Sequence, residues 1–206
     1  MSVKYLRYGL WAFVGIAFLT FLALSLPSQK NESALSIQPI AGFNKGTHFT
    51  LTDHKGQAFD SNTKIKDGEY ALIFFGFTHC PVICPTELQK TAEIMDGLPP
   101  EISKKIKPIF ITIDPERDTV DILNNYVPLF HEKITGLTGK TDDVHKILDA
   151  WKVFYTKVDD PQFTEYTMDH STYIYMVDHE MTIRSLFRMK NTPDQIINAI
   201  QDIIQS

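Results

Sequence analysis

An uninterrupted apolar run near the start of the chain differs from every later segment. It covers residues 9–26 and contains no charged side chain. At about 1.5 Å of rise per residue, a helix of this length nearly spans a hydrocarbon core of roughly 30 Å. Lys4 and Arg7 precede the run, which favours an amino end in the cytoplasm. We therefore predict a single transmembrane anchor over residues 9–26, with residues 1–8 cytoplasmic and the remainder across the membrane.

A cleaved signal peptide is the alternative interpretation of the same run. The apolar stretch of a signal peptide is usually about 7–15 residues long, which is shorter than this one. Ala23-Leu24-Ser25 nevertheless has the small residues of a cleavage site. Both interpretations export the rest of the chain. We expect the polar residues 27–39 to form a linker and residues 40–206 to form one domain.

Beyond the linker, short apolar runs alternate with amphipathic segments, which is typical of an α/β fold. Residues 70–77 and 108–113 are almost wholly apolar and predict strands that are covered on both faces. The other expected elements are a hairpin over 48–59, helices over 86–98, 119–130, 142–151 and from 192 onward, and strands over 134–137, 172–177 and 182–187. This order predicts a mixed sheet flanked by helices, as in thioredoxin-like folds.

The charge balance disfavours a nucleic-acid-binding function. The chain holds 20 Lys and Arg against 25 Asp and Glu, and two of the basic residues lie in the amino end. The exported part therefore carries 18 basic against 25 acidic side chains. Nucleic acid binding needs clustered cationic side chains, so we expect no nucleic acid partner.

The sequence contains two cysteines, Cys80 and Cys84, between a predicted buried strand and a helix. A disulfide between them would close almost no loop, so we expect a chemical role rather than a structural one. Residues 84–87 have the composition of a helix start, which places Cys84 at the N-cap and Cys80 in the preceding loop. Thiolates are favoured at such a position. The spacing alone leaves a metal site, a redox pair and buried structural thiols open.

A histidine is the expected third group of a metal site. His170 stands directly before the predicted strand 172–177, and in a thioredoxin-like fold the loop entering this strand lies against the cysteine turn. Taken alone, such a histidine is more often a packed one, but this topology favours a ligand. His79 adjoins Cys80, yet neighbours on an extended segment point to opposite faces. The remaining histidines are expected on the solvated surface: His48, His54, His131, His145 and His179.

Two carboxylates are candidates for supporting a metal site from outside the ligand set. Asp169 adjoins His170 and is the expected supporting group for its imidazole. Asp114 ends the predicted strand 108–113, at the edge of the sheet where α/β sites gather. A turn residue before Pro115 is an equally good interpretation of Asp114.

Three further residues near the predicted site are given structural roles. Arg117 and Asp118 are expected to form an internal ion pair that shapes their loop. Met168 carries a soft thioether, but a methionine that fills the core is the preferred interpretation.

Three sequence blocks resemble the signature blocks of the Sco (SenC) family of cytochrome oxidase assembly proteins. They are FGFTHCPVICPTELQK, ITIDPERDT and DHSTYIYMVD, and the similarity runs in order from about residue 40 to the carboxyl end. The resemblance implies a thioredoxin-like fold and one copper ion held by Cys80, Cys84 and His170. It also implies a part in building the CuA centre of oxidase subunit II. Val82 departs from the family, whose members commonly carry an acidic residue there, and should alter partner contacts or redox poise.

Copper suits two thiolates and one imidazole, since thiolates select Cu(I) and imidazole also accepts Cu(II). The leading hypothesis is a copper metallochaperone that takes copper from a donor protein and passes it to an oxidase subunit, without turning over a substrate. The alternative is a thiol–disulfide oxidoreductase that uses Cys80 and Cys84 as a redox-active pair to reduce the subunit's cysteines. Peroxide reduction is weaker: a peroxidatic site is expected to place Thr and Arg around one cysteine, and Arg117 is no more than a candidate for that arginine.

The expected location is a bacterial inner membrane, with the carboxyl-terminal domain in the periplasm. The region before the anchor is not the Arg- and Ser-rich sequence typical of a transit peptide. A mitochondrial inner membrane is therefore the less favoured interpretation.

Overall fold

The structure is a computed structural model that describes residues 43–159 and 166–205, together with Phe13, Gly15, Thr20 and Phe21. The chain divides into two compact units, Met1–Ala34 and Leu35–Ser206. Apart from those four residues, the predicted anchor over 9–26 lies outside the described part, as does the predicted linker. Among the residues described, there is no helix with the length and apolar character needed to cross a bilayer. The anchor therefore stays a prediction.

The second unit contains the predicted strands and helices in the predicted order, together with elements that were not predicted: Ser61–Lys64, Pro100–Ser103, Tyr155–Val158 and Thr167–His170. Its strands are β1 (Thr50–Asp53), β2 (Ala58–Asp60), β3 (Tyr70–Gly76), β4 (Ile106–Thr112), β5 (Thr135–Thr138), β6 (Tyr155–Val158), β7 (Thr167–His170), β8 (Ile174–Asp178) and β9 (Ile183–Phe187). Its helices are α1 (Ser61–Lys64), α2 (Ile83–Gly97), α3 (Pro100–Ser103), α4 (Val120–Tyr126), α5 (Thr141–Ala150) and α6 (Pro193–Gln205), and a 3-10 turn covers Val127–Leu129.

Most of the strands join one mixed sheet, with β3 near its centre. In the described residues the strand order is β2-β1-β5-β4-β3-β8-β9. Strand β3 runs parallel to β4 and antiparallel to β8. Both β3 and β4 are buried almost throughout, because their apolar side chains are covered on both faces of the sheet. The predicted mixed sheet with flanking helices is confirmed.

The segment between α5 and β8 differs from the prediction. Strands β6 and β7 form an antiparallel hairpin that is separate from the main sheet. Strand β6 was not predicted, because its side chains are exposed or half-buried and lack an alternating apolar pattern. His170 is the last residue of β7 and pairs with Tyr155. It therefore ends a strand of this hairpin instead of lying in a loop, and β8 begins at Ile174 instead of at residue 172.

His54 was expected on the surface but is buried. Its side chain folds onto strand β5, where Nδ1 accepts a hydrogen bond from the Gly136 N–H at 3.1 Å. Burial lowers the pKa of His54, and the neighbouring positive charge of Lys55 lowers it further. The histidine is therefore a structural group that holds the turn between β1 and β2 against β5.

An aromatic cluster around Trp151 ties the end of α5 to the sheet. The indole is fully buried, and its ring lies 5.7 Å from the rings of both Phe75 and Tyr175. Its Nε1–H donates to the Thr47 carbonyl at 3.1 Å. The indole thus joins three parts of the chain that are far apart in sequence.

We expect Trp151→Ala to lower the free energy of unfolding by about 3–5 kcal/mol, because it removes a buried aromatic side chain and leaves a cavity. Denaturant unfolding followed by circular dichroism measures the change. Leu129→Ala is the matched control, since Leu129 is 77% exposed and surface changes usually stay within about 0.5 kcal/mol. Equal losses in the two variants would contradict this account of the core.

Candidate metal centre

The two cysteines lie at the carboxyl end of the central strand β3. Helix α2 begins at Ile83 with Val82 as its N-cap, so Cys84 is the second residue of the helix and not the predicted cap. Pro85 fits in this first turn because N–H groups there have no partner inside the helix. Val82 makes no side-chain hydrogen bond to the helix, but the Cys84 N–H donates to Cys80 Sγ at 3.4 Å. The Cys80 sulfur thus serves as an acceptor at the start of α2.

His170 is the third side chain of the cluster. Its Nε2 lies 3.7 Å from Cys84 Sγ. The Cys84 thiol and the His170 imidazole also lie close enough to Cys80 to lower its pKa, so the three side chains form one cluster. Nδ1 lies 2.8 Å from the Ser171 carbonyl oxygen. Because a carbonyl only accepts, Nδ1 carries the proton, and the lone pair of the neutral ring is on Nε2, facing the sulfurs.

Apolar side chains enclose this cluster. Cys84 is fully buried, and Cys80 is 9% exposed. The ring of Phe77 meets the imidazole of His170 edge-to-face at 5.8 Å. Gly76 makes room for the Cys84 sulfur, since a Cβ at this position would lie 2.8 Å from Sγ. The two sulfurs are therefore shielded from solvent, Cys84 more completely than Cys80.

The two thiols, neither of which is in a disulfide, differ in acidity. The hydrogen bond from the Cys84 thiol lowers the pKa of Cys80 to about 4, with a further contribution from His170 and against the opposing effect of burial. The same hydrogen bond and the burial of Cys84 raise the pKa of Cys84. At neutral pH the pair therefore holds one thiolate, on Cys80, and one thiol donor, on Cys84.

The cluster of Cys80, Cys84 and His170 stops short of a preformed metal cage. Within residues 43–159 and 166–205, no three histidine, cysteine or acidic side chains are grouped so that they could hold an ion as they stand. The sulfurs and Nε2 would have to converge further when a metal binds. Rotation of the Cys80 side chain, which lies in a loop, is the simplest movement that brings them closer.

The carboxylates that were predicted to support the site have other places. Asp169 is exposed, and the Ser171 carbonyl takes the position at Nδ1 of His170 that was expected for Asp169. Asp114 is 2% exposed and accepts hydrogen bonds from the Tyr166 hydroxyl and from Arg117. Asp169 was expected to support the imidazole, but the backbone carbonyl of Ser171 contacts that ring. Asp114 was expected either at the rim of the site or in a turn before Pro115, and its contacts are with Arg117 and Tyr166.

The predicted ion pair between Arg117 and Asp118 is wrong. Arg117 pairs with Asp114 instead. Asp118 is fully buried and accepts hydrogen bonds from Thr78 and Thr112. These two threonines were missed in the sequence, although each lies at or just beyond the end of a buried strand.

Two other predicted placements agree with the structure. The side chain of His79 is 44% exposed, and its Nδ1 faces the Thr78 hydroxyl at 3.1 Å, which places this ring nitrogen away from the sulfurs. Met168 is 6% exposed and lies in the hydrophobic core, as expected of a core-filling methionine.

The geometry defines a class of protein: a thioredoxin-like domain that presents two cysteines and a histidine at the carboxyl end of its central strand. Residues 38–205 match the model of the SCO1/SenC family. An SCO2-like protein of Rickettsia felis is 40% identical over 160 residues, which are 76% of this chain and 75% of the relative. The chain belongs to the SCO1/SenC family.

Solved structures with bound copper share this fold. The copper-bound ScoI of Bradyrhizobium japonicum is 35% identical, with 78% of this chain and 98% of that chain covered and a TM-score of 0.68. The copper-bound yeast Sco1 is 30% identical, with 80% and 90% of the chains covered and a TM-score of 0.71. The similarity therefore extends over nearly the whole of each solved domain.

Iodoacetamide at about pH 6 should alkylate Cys80 and leave Cys84 unmodified, because the first is a thiolate and the second a thiol. The rate should stay level above this pH and fall as the pH drops through about 4, where Cys80 becomes protonated. Cys84→Ala removes the largest cause of the lowered pKa, so the midpoint should move upward. Mass spectrometry of the digested protein measures both rates, and equal alkylation of the two cysteines would contradict the assignment.

Proposed function

We propose that this chain is a copper metallochaperone that assists assembly of the CuA centre of a respiratory cytochrome oxidase. The members of its family are copper-binding cytochrome c oxidase assembly proteins. The observation that carries the proposal is the approach of His170 Nε2 to within 3.7 Å of the buried Cys84 sulfur, beside Cys80. A site made of two sulfurs and one imidazole nitrogen binds copper in preference to hard cations.

The distance between sulfur and nitrogen fits a shared metal ion. With bonds of about 2.3 Å to sulfur and 2.0 Å to nitrogen, as found for zinc, an ion would hold the two donor atoms roughly 3.5–3.8 Å apart. The observed separation of Cys84 Sγ and His170 Nε2 is 3.7 Å. Binding would therefore need little movement of this pair, and most of the adjustment would fall to Cys80.

Each of the three residues has a distinct part in taking up the ion. Cys80 is already a thiolate and is the more exposed sulfur, so it makes the first contact with an incoming ion. Cys84 must release its proton, which couples uptake to pH. The carbonyl of Ser171 keeps the proton on Nδ1 of His170, which leaves Nε2 as the donor. Copper is the cargo, and it leaves by exchange with the ligands of the client.

The partners that follow from this function are a copper donor protein and subunit II of the oxidase. We also propose that the chain is held by its apolar residues 9–26 in a bacterial inner membrane, with the domain in the periplasm. An anchored domain would stay close to a membrane-bound oxidase. The acidic balance of the exported part, 18 basic against 25 acidic side chains, is compatible with basic protein partners.

The unequal thiols favour a second candidate function, a thiol–disulfide oxidoreductase. The Cys80 thiolate would attack a client disulfide and form a mixed disulfide, releasing one client thiolate. Cys84 would then lose its proton and attack the Cys80 sulfur, leaving a Cys80–Cys84 disulfide and a second client thiolate. This reaction needs no histidine ligand, which separates the two functions experimentally.

His170→Ala should abolish stable Cu(II) binding and leave the dithiol able to reduce a disulfide, because it removes the one ligand that suits Cu(II) best. Metal analysis after dialysis against Cu(II) measures the copper content, with a single ion per chain expected in the wild type. His79→Ala is the matched control, since this exposed histidine adjoins Cys80 without facing the sulfurs. Unchanged copper binding by His170→Ala would contradict the three-ligand site and favour the reductase.

Membrane attachment is tested separately, on the full chain expressed in bacteria. We expect the protein to stay in the membrane fraction after alkaline carbonate washing, because a spanning helix is not removed by loss of peripheral contacts. Sequencing its amino end should find residues 1–25 retained. A soluble product that starts just after residue 25 would favour a cleaved signal peptide.

A further inference from the structure

The loop that follows β4 contacts both halves of the site. We call residues 114–118 the bracket loop, which carries Asp114, Arg117 and Asp118. The cysteines follow β3, and the histidine ends β7, so the two halves belong to separate parts of the chain. The bracket loop lies between these parts and makes side-chain contacts with each of them.

On the cysteine side, Asp118 holds the start of the cysteine loop. Its carboxylate accepts hydrogen bonds from the Thr78 N–H at 3.0 Å and from the Thr78 hydroxyl at 2.5 Å. The hydroxyl of Thr112, at the end of β4, donates to the same carboxylate at 2.7 Å. Thr78 stands two residues before Cys80. One fully buried carboxylate therefore fixes the cysteine loop to the end of the neighbouring strand.

On the histidine side, Arg117 holds the hairpin that carries His170. Its guanidinium stacks on the ring of Tyr166 at 3.7 Å and donates to the Tyr166 carbonyl at 2.8 Å. Asp114 accepts a hydrogen bond from the Tyr166 hydroxyl at 2.9 Å and pairs with Arg117. Tyr166 directly precedes β7 and stands four residues before His170. A second ion pair, between Lys157 of β6 and Glu116, spans 2.7 Å.

Arg117 also lies near the imidazole through one intervening ring. Its guanidinium carbon is 5.9 Å from the centre of the Phe77 ring, and that ring meets His170 edge-to-face at 5.8 Å. A displacement of the guanidinium would therefore change the packing around the ligand ring itself.

These contacts matter because no backbone ladder joins the hairpin to the cysteine loop. Strands β6 and β7 pair only with each other in the described part of the chain. The pairing of β8 with β3 brings the end of the hairpin to this edge of the sheet, and side-chain contacts hold it there. Burying carboxylates costs free energy that apolar residues of similar size would not. Asp114 and Asp118 are nevertheless both buried and both hydrogen-bonded, which points to a geometric role.

We propose that the bracket loop sets the separation between the cysteine pair and the imidazole, with Asp118 positioning Cys80 and Arg117 positioning His170. None of the bracket side chains is a metal ligand in this account. The importance of the separation rests on the proposed copper-binding function, whereas the separation itself is a property of the metal-free protein.

The metal-free test follows the ring resonances of His170 by NMR on the full chain in detergent. The rings of Phe77 and Phe74 shift these resonances, because they lie 5.8 and 6.3 Å from the imidazole. Arg117→Ala should move the His170 signals toward those of an unstructured histidine. Asp118→Ala should instead move the amide signals of the cysteine loop. Arg117→Lys keeps the charge but loses the planar guanidinium group. It should therefore shift the His170 signals in the same direction as Arg117→Ala.

The copper test measures Cu(II) affinity and the sulfur-to-copper absorption band in the same variants. We expect a loss of about 10- to 100-fold in affinity, the range found when groups that orient metal ligands are removed. The absorption band should shift, since the donor geometry changes. Asp118→Asn keeps one acceptor oxygen and should recover part of the loss.

Asp178→Ala is the matched control. Asp178 accepts hydrogen bonds from the Glu180 and Thr182 N–H groups in a turn, and it pairs with Tyr70 at the opposite end of β3 from the cysteines. This variant should lose stability without altering the His170 resonances or the copper band. The proposal is wrong if Arg117→Lys and Tyr166→Phe, which are conservative enough to fold, leave both signals unchanged. It is also wrong if Asp178→Ala weakens copper binding as much as Arg117→Ala does. Should the wild type bind no copper, the proposed function fails, and the NMR comparison still decides on the bracket loop.

Discussion

Strand β3 runs antiparallel to β8, and their register extends from Tyr70 opposite Asp178 to Phe74 opposite Ile174. Because the two strands run in opposite directions, the end of β3 lies beside the start of β8. The cysteine loop leaves the first strand at this edge, and the hairpin that ends in His170 leads into the second. The same pairing therefore brings Nε2 of His170 to within 3.7 Å of a sulfur that lies 86 positions earlier in the chain.

The chemistry of the site depends on the difference between its two cysteines. Cys80 accepts hydrogen bonds and is the more exposed thiol, whereas Cys84 donates and is fully enclosed. The Cys80 sulfur is thus ready to react, whereas Cys84 keeps its proton and donates a hydrogen bond. A soft metal and a disulfide both respond to such a pair, which explains why the cysteines alone do not separate copper transfer from thiol reduction. The imidazole is the element that favours the metal.

The sequence predicted the parts of the fold that hydrophobic pattern controls. Strands β3 and β4 were placed within two residues of their bounds, since each is a continuous apolar run. The approach of the histidine to the cysteines followed from the order of the elements. Strand β6 was missed because its exposed side chains carry no apolar pattern. The contact between Asp118 and Thr78 was missed because it spans 40 positions and depends on how two loops meet.

X-ray absorption spectroscopy of the copper-loaded full chain tests the central claim most directly. It reports the atoms bonded to the metal and needs no variant of the protein. The account predicts a first shell of two sulfur atoms and one imidazole nitrogen. A shell made only of oxygen and nitrogen, or one of sulfur without imidazole scattering for Cu(II), would contradict the assignment of Cys80, Cys84 and His170 as the ligands.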